Sequence, residues 1–198
     1  MNKPYAQACD RNRDPILSVI KSLLADAGSV LEVGSGTGQH AVYFAGHLPH
    51  LQWQCSDLLD NLPGIKIWID ESDYANLPLP VELDVSSINW AALEYDAVFS
   101  ANSVHIMSWE HVKAFISGAG LALNQNGLLI LYGPFNYQDN YTSDSNRVFD
   151  GWLKERDPVS GIRNFEDLDR LANEAGFILQ GDIEMPSNNR ILYWQKTV

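Results

Sequence analysis

Ser29-Val30-Leu31-Glu32-Val33-Gly34-Ser35-Gly36-Thr37-Gly38 is the stretch that decides the fold. Ser29–Val33 is largely apolar and reads as a short buried strand. Three glycines in five positions follow, and a helix is expected from about Gln39 to Gly46. Glycine lets the backbone turn sharply and approach a ligand that a Cβ would hold away. A loop of this kind after the first strand of a doubly wound sheet binds nucleotide-like cofactors. Its spacing separates the candidates. A dinucleotide loop is G-x-G-x-x-G. Here the third glycine, Gly38, comes one residue early and Gln39 takes its place. No Gly-Lys-Ser/Thr follows, which excludes a P-loop. Glu32, two residues ahead of Gly34, disfavours a pyrophosphate and suits a cationic ligand group, directly or through water.

Working outward, Ile16, Leu17, Val19, Ile20, Leu23 and Leu24 form a stripe at helical spacing. They predict a helix over 14–26, with Asp14 as its cap, Pro15 in its first turn and Gly28 as its stop. Leu51–Ser56 reads as a second strand ending at Asp57, and 61–72 as a helix with Pro63 in its first turn. Val81–Leu83 is a third strand ending at Asp84. Asp96–Ser100 is a fourth, running into Ala101-Asn102-Ser103-Val104-His105. Val112, Phe115, Ile116, Ala119 and Leu123 predict a helix over 109–124. Gly127 then opens a fifth strand, Leu128–Tyr132. Residues 133–164 are polar and irregular, with a helix near 145–155. Phe165–Ala175 is a helix stopped by Gly176, and Phe177–Glu184 and Arg190–Lys196 are an antiparallel hairpin. The alternation predicts one α/β domain over 1–198, a doubly wound, mostly parallel sheet with helices on both faces.

With the glycine loop, the strand ends carry a resemblance. Glu32, Gly34, Gly36 and Gly38 match the E-x-G-x-G-x-G motif of class I S-adenosylmethionine-dependent methyltransferases. The resemblance implies a seven-stranded sheet of order 3-2-1-4-5-7-6 with the last strand antiparallel, and S-adenosylmethionine as cofactor. Residue by residue, it implies that Asp57, 19 positions after Gly38, takes the ribose hydroxyls. Asp84 with Val85 falls where that family reads the adenine amino group, and Asn102 where the methionine part and methyl group lie. Residues 4–17, the stretch Trp53–Asp57 and the stretch Arg156–Arg163 further resemble a functionally uncharacterised methyltransferase-like subfamily of bacteria and animals. That likeness implies a fold and a cofactor but no substrate. Read without it, Asp84 also suits the cap of a following helix.

Methyl transfer from a sulfonium is a direct displacement, helped mainly by holding donor and acceptor in line. A base is needed only where the acceptor must lose a proton. His105, just past the fourth strand, is the candidate catalytic base or orienter; packing under the loop is the plainer role for it. His40, His47, His50 and His111 are expected at the surface. No His-x-x-x-His pair occurs, and no metal site is expected. Tyr132, Phe135, Asn136 and Tyr137 follow the fifth strand and are candidates to line an acceptor pocket. The long insert at 133–164 and an N-terminal lid segment at 1–13 are placed to cover the cleft. They carry Arg147, Lys154, Arg156 and Arg163, and Lys3, Arg11 and Arg13 with Tyr5. Arg11 or Arg163 is expected to bind a carboxylate of the methionine moiety or of the substrate, against a solvated arginine or a surface ion pair as the simpler use.

The chain has 198 residues, 45% hydrophobic, with 13 basic and 25 acidic side chains and a net charge of −12. It can bury a sizeable core and is not disordered. Its charge argues against nucleic acid and against docking on an anionic membrane. Residues 22–146 hold 14 acids and only two bases, Lys66 and Lys113. An acidic cofactor floor under a more basic lid is therefore expected, open to a small anionic or neutral acceptor. Cys9 and Cys55 form no CxxC pair, so buried free thiols are expected. No signal-like stretch stands at residues 1–5 and no run approaches the roughly 20 apolar residues of a membrane span, so a cytoplasmic location is expected. The function expected is methyl transfer from S-adenosylmethionine to a small molecule. The rivals are a non-catalytic cofactor-binding regulatory protein on the same fold and, less well matched, a nicotinamide-dependent oxidoreductase.

Overall fold

The apolar runs at 29–33, 96–100 and 128–132 become strands because their backbone groups pair while most of their side chains are buried. The computed structural model describes residues 3–197. Helix α1 spans Gln7–Leu23, strand β1 Ser29–Val33, α2 Gln39–His47, β2 Gln52–Asp57 and α3 Leu62–Asp70. Then come β3 Val81–Glu82, β4 Tyr95–Ala101, α4 Trp109–Ala122, β5 Leu123–Gly133 and β6 Phe135–Asn136. Helix α5 spans Asp144–Arg156, β7 Arg163–Asn164, α6 Phe165–Glu174, β8 Phe177–Met185 and β9 Asn189–Lys196. The seven-stranded sheet runs β3-β2-β1-β4-β5-β9-β8. The pairs from β3 to β5 are parallel, and β9 is antiparallel to both β5 and β8. With β6 and β7 set aside as a separate two-stranded ribbon, this is the order the methyltransferase resemblance implies.

The sheet separates two apolar layers. Ile16, Ile20, Phe44 and Ile65 of α1–α3 pack with Trp53, Phe99 and Ile130 on one face. Phe115, Ile116 and Leu168 of α4 and α6 pack with Val98, Leu129 and Trp194 on the other. The parallel strands β1, β2, β4 and β5 thus direct their C-terminal ends to one edge, where the glycine loop lies.

Several expected boundaries move. Helix α1 begins at Gln7, not near Asp14, so Asp14 is not its cap and Pro15 lies inside it. The Gln39 side chain supplies the missing start: its Oε1 accepts the Ala6 N–H at 2.5 Å. Asp14 instead accepts a hydrogen bond from the Tyr43 hydroxyl. The helix ends at Leu23, before Gly28. Strand β5 starts at Leu123, directly after α4, because Leu123 pairs with Tyr95 ahead of a register shift. Helix α5 starts at Asp144 because Ser143 Oγ accepts the Asn146 N–H at 3.1 Å. Among the described residues, no helix is long and apolar enough to cross a membrane.

Candidate functional site

The glycine loop is held by β2. The N–H groups of Gly34 and Ser35 both donate to Ser56 O at 3.0 Å. Gly36 N–H donates to Asp57 Oδ2 at 2.6 Å. Gly34, Gly36 and Gly38 all have positive φ, where an L side chain is strained. They differ in what surrounds them. A Cβ on Gly34 would stand 2.6 Å from Ser103 Oγ, whereas a Cβ on Gly36 would meet nothing within 4 Å. Gly34 is packed against the loop after β4, and Gly36 faces open space.

Asp57 closes β2 beside Gly36. Its Oδ1 accepts from Leu58 N at 2.8 Å and Asn61 Nδ2 at 2.7 Å, so its carboxylate is fixed at the loop. Asp84 follows β3, and its Oδ1 accepts from Ser86 N at 2.9 Å and Ser86 Oγ at 2.7 Å. These bonds hold its pKa below the usual carboxylate range. Asp84 therefore closes a turn at Ser86 and is not the helix cap that its position suggested, since no helix begins there. Val85 is buried, with its carbonyl on the Trp90 indole. Asn102 takes a left-handed turn at φ 58°, and its N–H bonds Tyr132 O at 2.8 Å.

Glu32 lies deeper than a residue in direct ligand contact. It is fully buried, and its Oε2 accepts from Trp53 Nε1 at 3.0 Å. Burial raises its pKa to about 7, against the hydrogen bonds of Trp53 and Ser35. Of its two expected modes, only the indirect one matches this placement.

His105 is buried, and its Nδ1 has no hydrogen-bond partner. Its ring meets the edge of Phe149 from α5 at 5.3 Å, and its carbonyl accepts the Gly161 N–H at 2.9 Å. A Cβ on Gly133 would stand 3.6 Å from His105 Nδ1 and 3.9 Å from Asn102 Oδ1. The end of β5 therefore gathers the two loop residues. Burial, with Arg163 and Arg156 nearby, holds the imidazole down to about 4, so it is neutral at pH 7. Asn136 is also buried, and its Oδ1 lacks a partner. Tyr132 is buried among the α1–α2 layer with its hydroxyl toward Asn12 and Asn189. Tyr137 is engaged elsewhere: its hydroxyl donates to Asp182 at 2.7 Å and its ring stacks on Phe165.

The arginines divide. Arg163 ties the insert to the loop after β4. Its Nε donates to Val104 O at 3.1 Å, and its Nη2 donates to Met107 O and, at 2.9 Å, to Val159 O. This is neither of the simple uses expected for it, and it occupies much of the guanidinium. Arg11 is exposed on α1 and makes no ion pair among the described residues. The first described residues pack against α3. Trp68 Nε1 donates to Pro4 O at 2.7 Å, Lys3 pairs with Glu71 at 2.5 Å, and Gly64 faces the Pro4 ring. Met1 and Asn2 of the expected lid fall outside the described residues.

His40 corrects a sequence expectation. It is buried, not at the surface; its Nε2 bonds Asn12 Oδ1 at 2.7 Å and its ring stacks on Phe44. Burial lowers its pKa to about 4. His47, His50 and His111 are exposed as expected. Cys55 is buried and Cys9 only partly so, both as free thiols. Residues that sequence reasoning left without a role include Gln39, Asn61 and Phe149. Asn61 had a signal, standing one helical turn after Asp57; Phe149 had none, because only the folded insert brings it to His105.

Sheet order, glycine loop and acid-tipped strands together define the class I methyltransferase fold. The chain belongs to the family described as Protein of unknown function (DUF938), whose model matches residues 3–196. It is similar to an O-methyltransferase family protein from Burkholderia thailandensis, with TM-score 0.84 and 17% identity over 96% of this chain and 57% of that one. It is also similar to human N-acetylserotonin methyltransferase in complex with SAM, with TM-score 0.81 and 14% identity over 97% and 53% of the two chains. A third likeness is to an O-methyltransferase family 2 protein from Planctomyces limnophilus in complex with apigenin, at TM-score 0.74 and 14% identity over 85% and 51%. The chain thus spans little more than half the length of these structures.

Proposed function

We propose that this chain binds S-adenosylmethionine and transfers its methyl group to a small-molecule acceptor. The observation that carries the reading is the open space at Gly36, whose N–H is fixed by the Asp57 carboxylate. A hydroxyl-bearing ligand fits there, with the backbone free to approach it. The donor set fits the cofactor's chemistry. Gly34, Gly36 and Gly38 shape the floor and Asp57 accepts from ribose hydroxyls. Asp84 and Val85 border the adenine, and Asn102 the methionine part. Glu32 acts on its ammonium through water and the loop, and Arg11 holds its carboxylate. When bound, the cofactor supplies an electrophilic methyl on a sulfonium and leaves as the neutral thioether.

On the acceptor side, Tyr132 and Asn136 line the approach and His105 is the base. Its neutral imidazole takes the acceptor's proton as the acceptor's lone pair closes on the methyl carbon. Tyr137 and Arg163 shape that pocket from outside, given the partners they already have. The net charge of −12 supports an acceptor other than nucleic acid.

The experiment is incubation of the full chain with methyl-labelled S-adenosylmethionine and a cell extract, followed by identification of the labelled product. A labelled small molecule, lost with His105→Ala, is expected. Tight cofactor binding without any labelled product favours the non-catalytic reading.

A further inference from the structure

A buried imidazole with an unpartnered Nδ1 calls for an occupant, and its surroundings state the sign of that occupant. From His105 a row of side chains leads outward along α5. Phe149 meets the imidazole edge-on at 5.3 Å, and Trp152 stacks on Phe149 at 5.8 Å. The Arg156 guanidinium lies 5.0 Å over Trp152. Phe149 is half-buried, while Trp152 and Arg156 are exposed, so the row joins the buried ring to solvent. The charged groups bearing on His105 are Arg163 and Arg156, with no carboxylate among them.

Two acids of the insert, Asp150 and Asp157, are engaged within it, while Glu155, next to Arg156 in the chain, is exposed. Asp150 accepts from Lys154 at 2.6 Å, Tyr141 at 2.7 Å and the Ile162 N–H at 2.7 Å. Asp157 accepts the Val159 N–H at 3.2 Å. Arg163 bonds only backbone carbonyls, and Arg156 makes no ion pair among the described residues. In a chain of net charge −12, two cations without a bonded carboxylate beside one buried base are an exception to the surrounding field. An anion placed there meets positive charge that no hydrogen-bonded carboxylate already neutralises.

We propose that the row of side chains leading from His105 along α5 takes an anionic acceptor, a carboxylate- or phosphate-bearing molecule, with its apolar body along Phe149 and Trp152 and its charge on Arg156 within the field of Arg163. This rests on reading His105 as part of the methyl-acceptor site. The anion has a second effect. It offsets the two arginines, lets the imidazole accept a proton more readily and so couples acceptor binding to base strength.

The test separates this inference from its premise. A metabolite extract is split by ion exchange into anionic, neutral and cationic fractions. Each is incubated with the full chain and methyl-labelled S-adenosylmethionine, and cofactor binding is followed separately by calorimetry. Label is expected in the anionic fraction. For that product, Arg156→Ala is expected to lower kcat/KM at least tenfold with cofactor affinity unchanged, and Arg156→Lys to restore part of the loss. Label confined to the neutral or cationic fraction overturns the inference, as does an unchanged kcat/KM in Arg156→Ala. A chain that binds no S-adenosylmethionine fails at the premise, and the calorimetry reads that failure by itself.

Discussion

At the scale of single residues, the three loop glycines look alike in sequence and differ in duty. Gly34 is packed: a Cβ there collides with Ser103. Gly34→Ala is expected to cost about 2–4 kcal/mol, combining backbone strain with overpacking. Gly36 borders open space, so Gly36→Ala carries only the strain of its positive φ, about 1–2 kcal/mol, yet narrows that space. Chemical denaturation and cofactor titration together check this pair: Gly34→Ala lowers stability more, and Gly36→Ala lowers affinity more than its stability loss explains. The motif spacing made the loop legible, but not this division, which depends on what the β4 loop places beside each glycine. Glu32 teaches the same lesson. Its position in the motif was plain; its burial against Trp53 arises from the register of β1 on β2, where Glu32 pairs with Cys55.

At the scale of elements, strands were legible because buried parallel strands are short apolar runs. The sheet ends, Asp57, Asp84 and His105, followed from them. Helix α1 was misread at its start because Pro15 resembles a first-turn residue, whereas the N–H ahead of the helix is satisfied by Gln39 from a distant element. Such caps leave no local trace. The insert was recognisable only by its length, and its attachment through Arg163 was hidden, since backbone carbonyls carry no sequence signal. Arg163→Met is expected to lower stability by about 2 kcal/mol, because it leaves carbonyls of the β4 loop and insert without donors. Limited proteolysis should then cut within 138–162 first. Equal cleavage rates in the variant and the parent chain would show that Arg163 does not hold the insert.

At the scale of the whole molecule, three buried titratable groups set an acid response whose direction can be worked out. His40 and His105 have folded pKa values near 4, below the ordinary 6.5 or so. Between about pH 4 and 6.5 the unfolded chain binds more protons at these sites. Their contribution is therefore present above 6.5 and is lost as pH falls toward 4. Glu32 is opposite: its folded pKa is about 7, so its contribution is present below the ordinary carboxylate range and is lost as pH rises through 7. Across the overlap, Glu32 offsets one of the two histidines. Glu32→Gln is thus expected to steepen the rise of stability with pH between about 4.5 and 6.5. It should also stabilise the chain at pH 8 by up to about 3 kcal/mol. Urea midpoints across that range decide it, and a slope unchanged by the substitution contradicts the assignment.

Of the 14 acids in residues 22–146, Glu32, Asp57 and Asp84 make up the proposed cofactor floor. The central claim is that the Gly36–Asp57 site holds S-adenosylmethionine. Calorimetry of the full chain with S-adenosylmethionine, S-adenosylhomocysteine and a nicotinamide dinucleotide tests it most directly. The account predicts one-to-one binding of both adenosyl ligands, at least tenfold weaker in Asp57→Ala, and no binding of the dinucleotide. Dinucleotide binding without either adenosyl ligand, or adenosyl binding indifferent to Asp57→Ala, contradicts it.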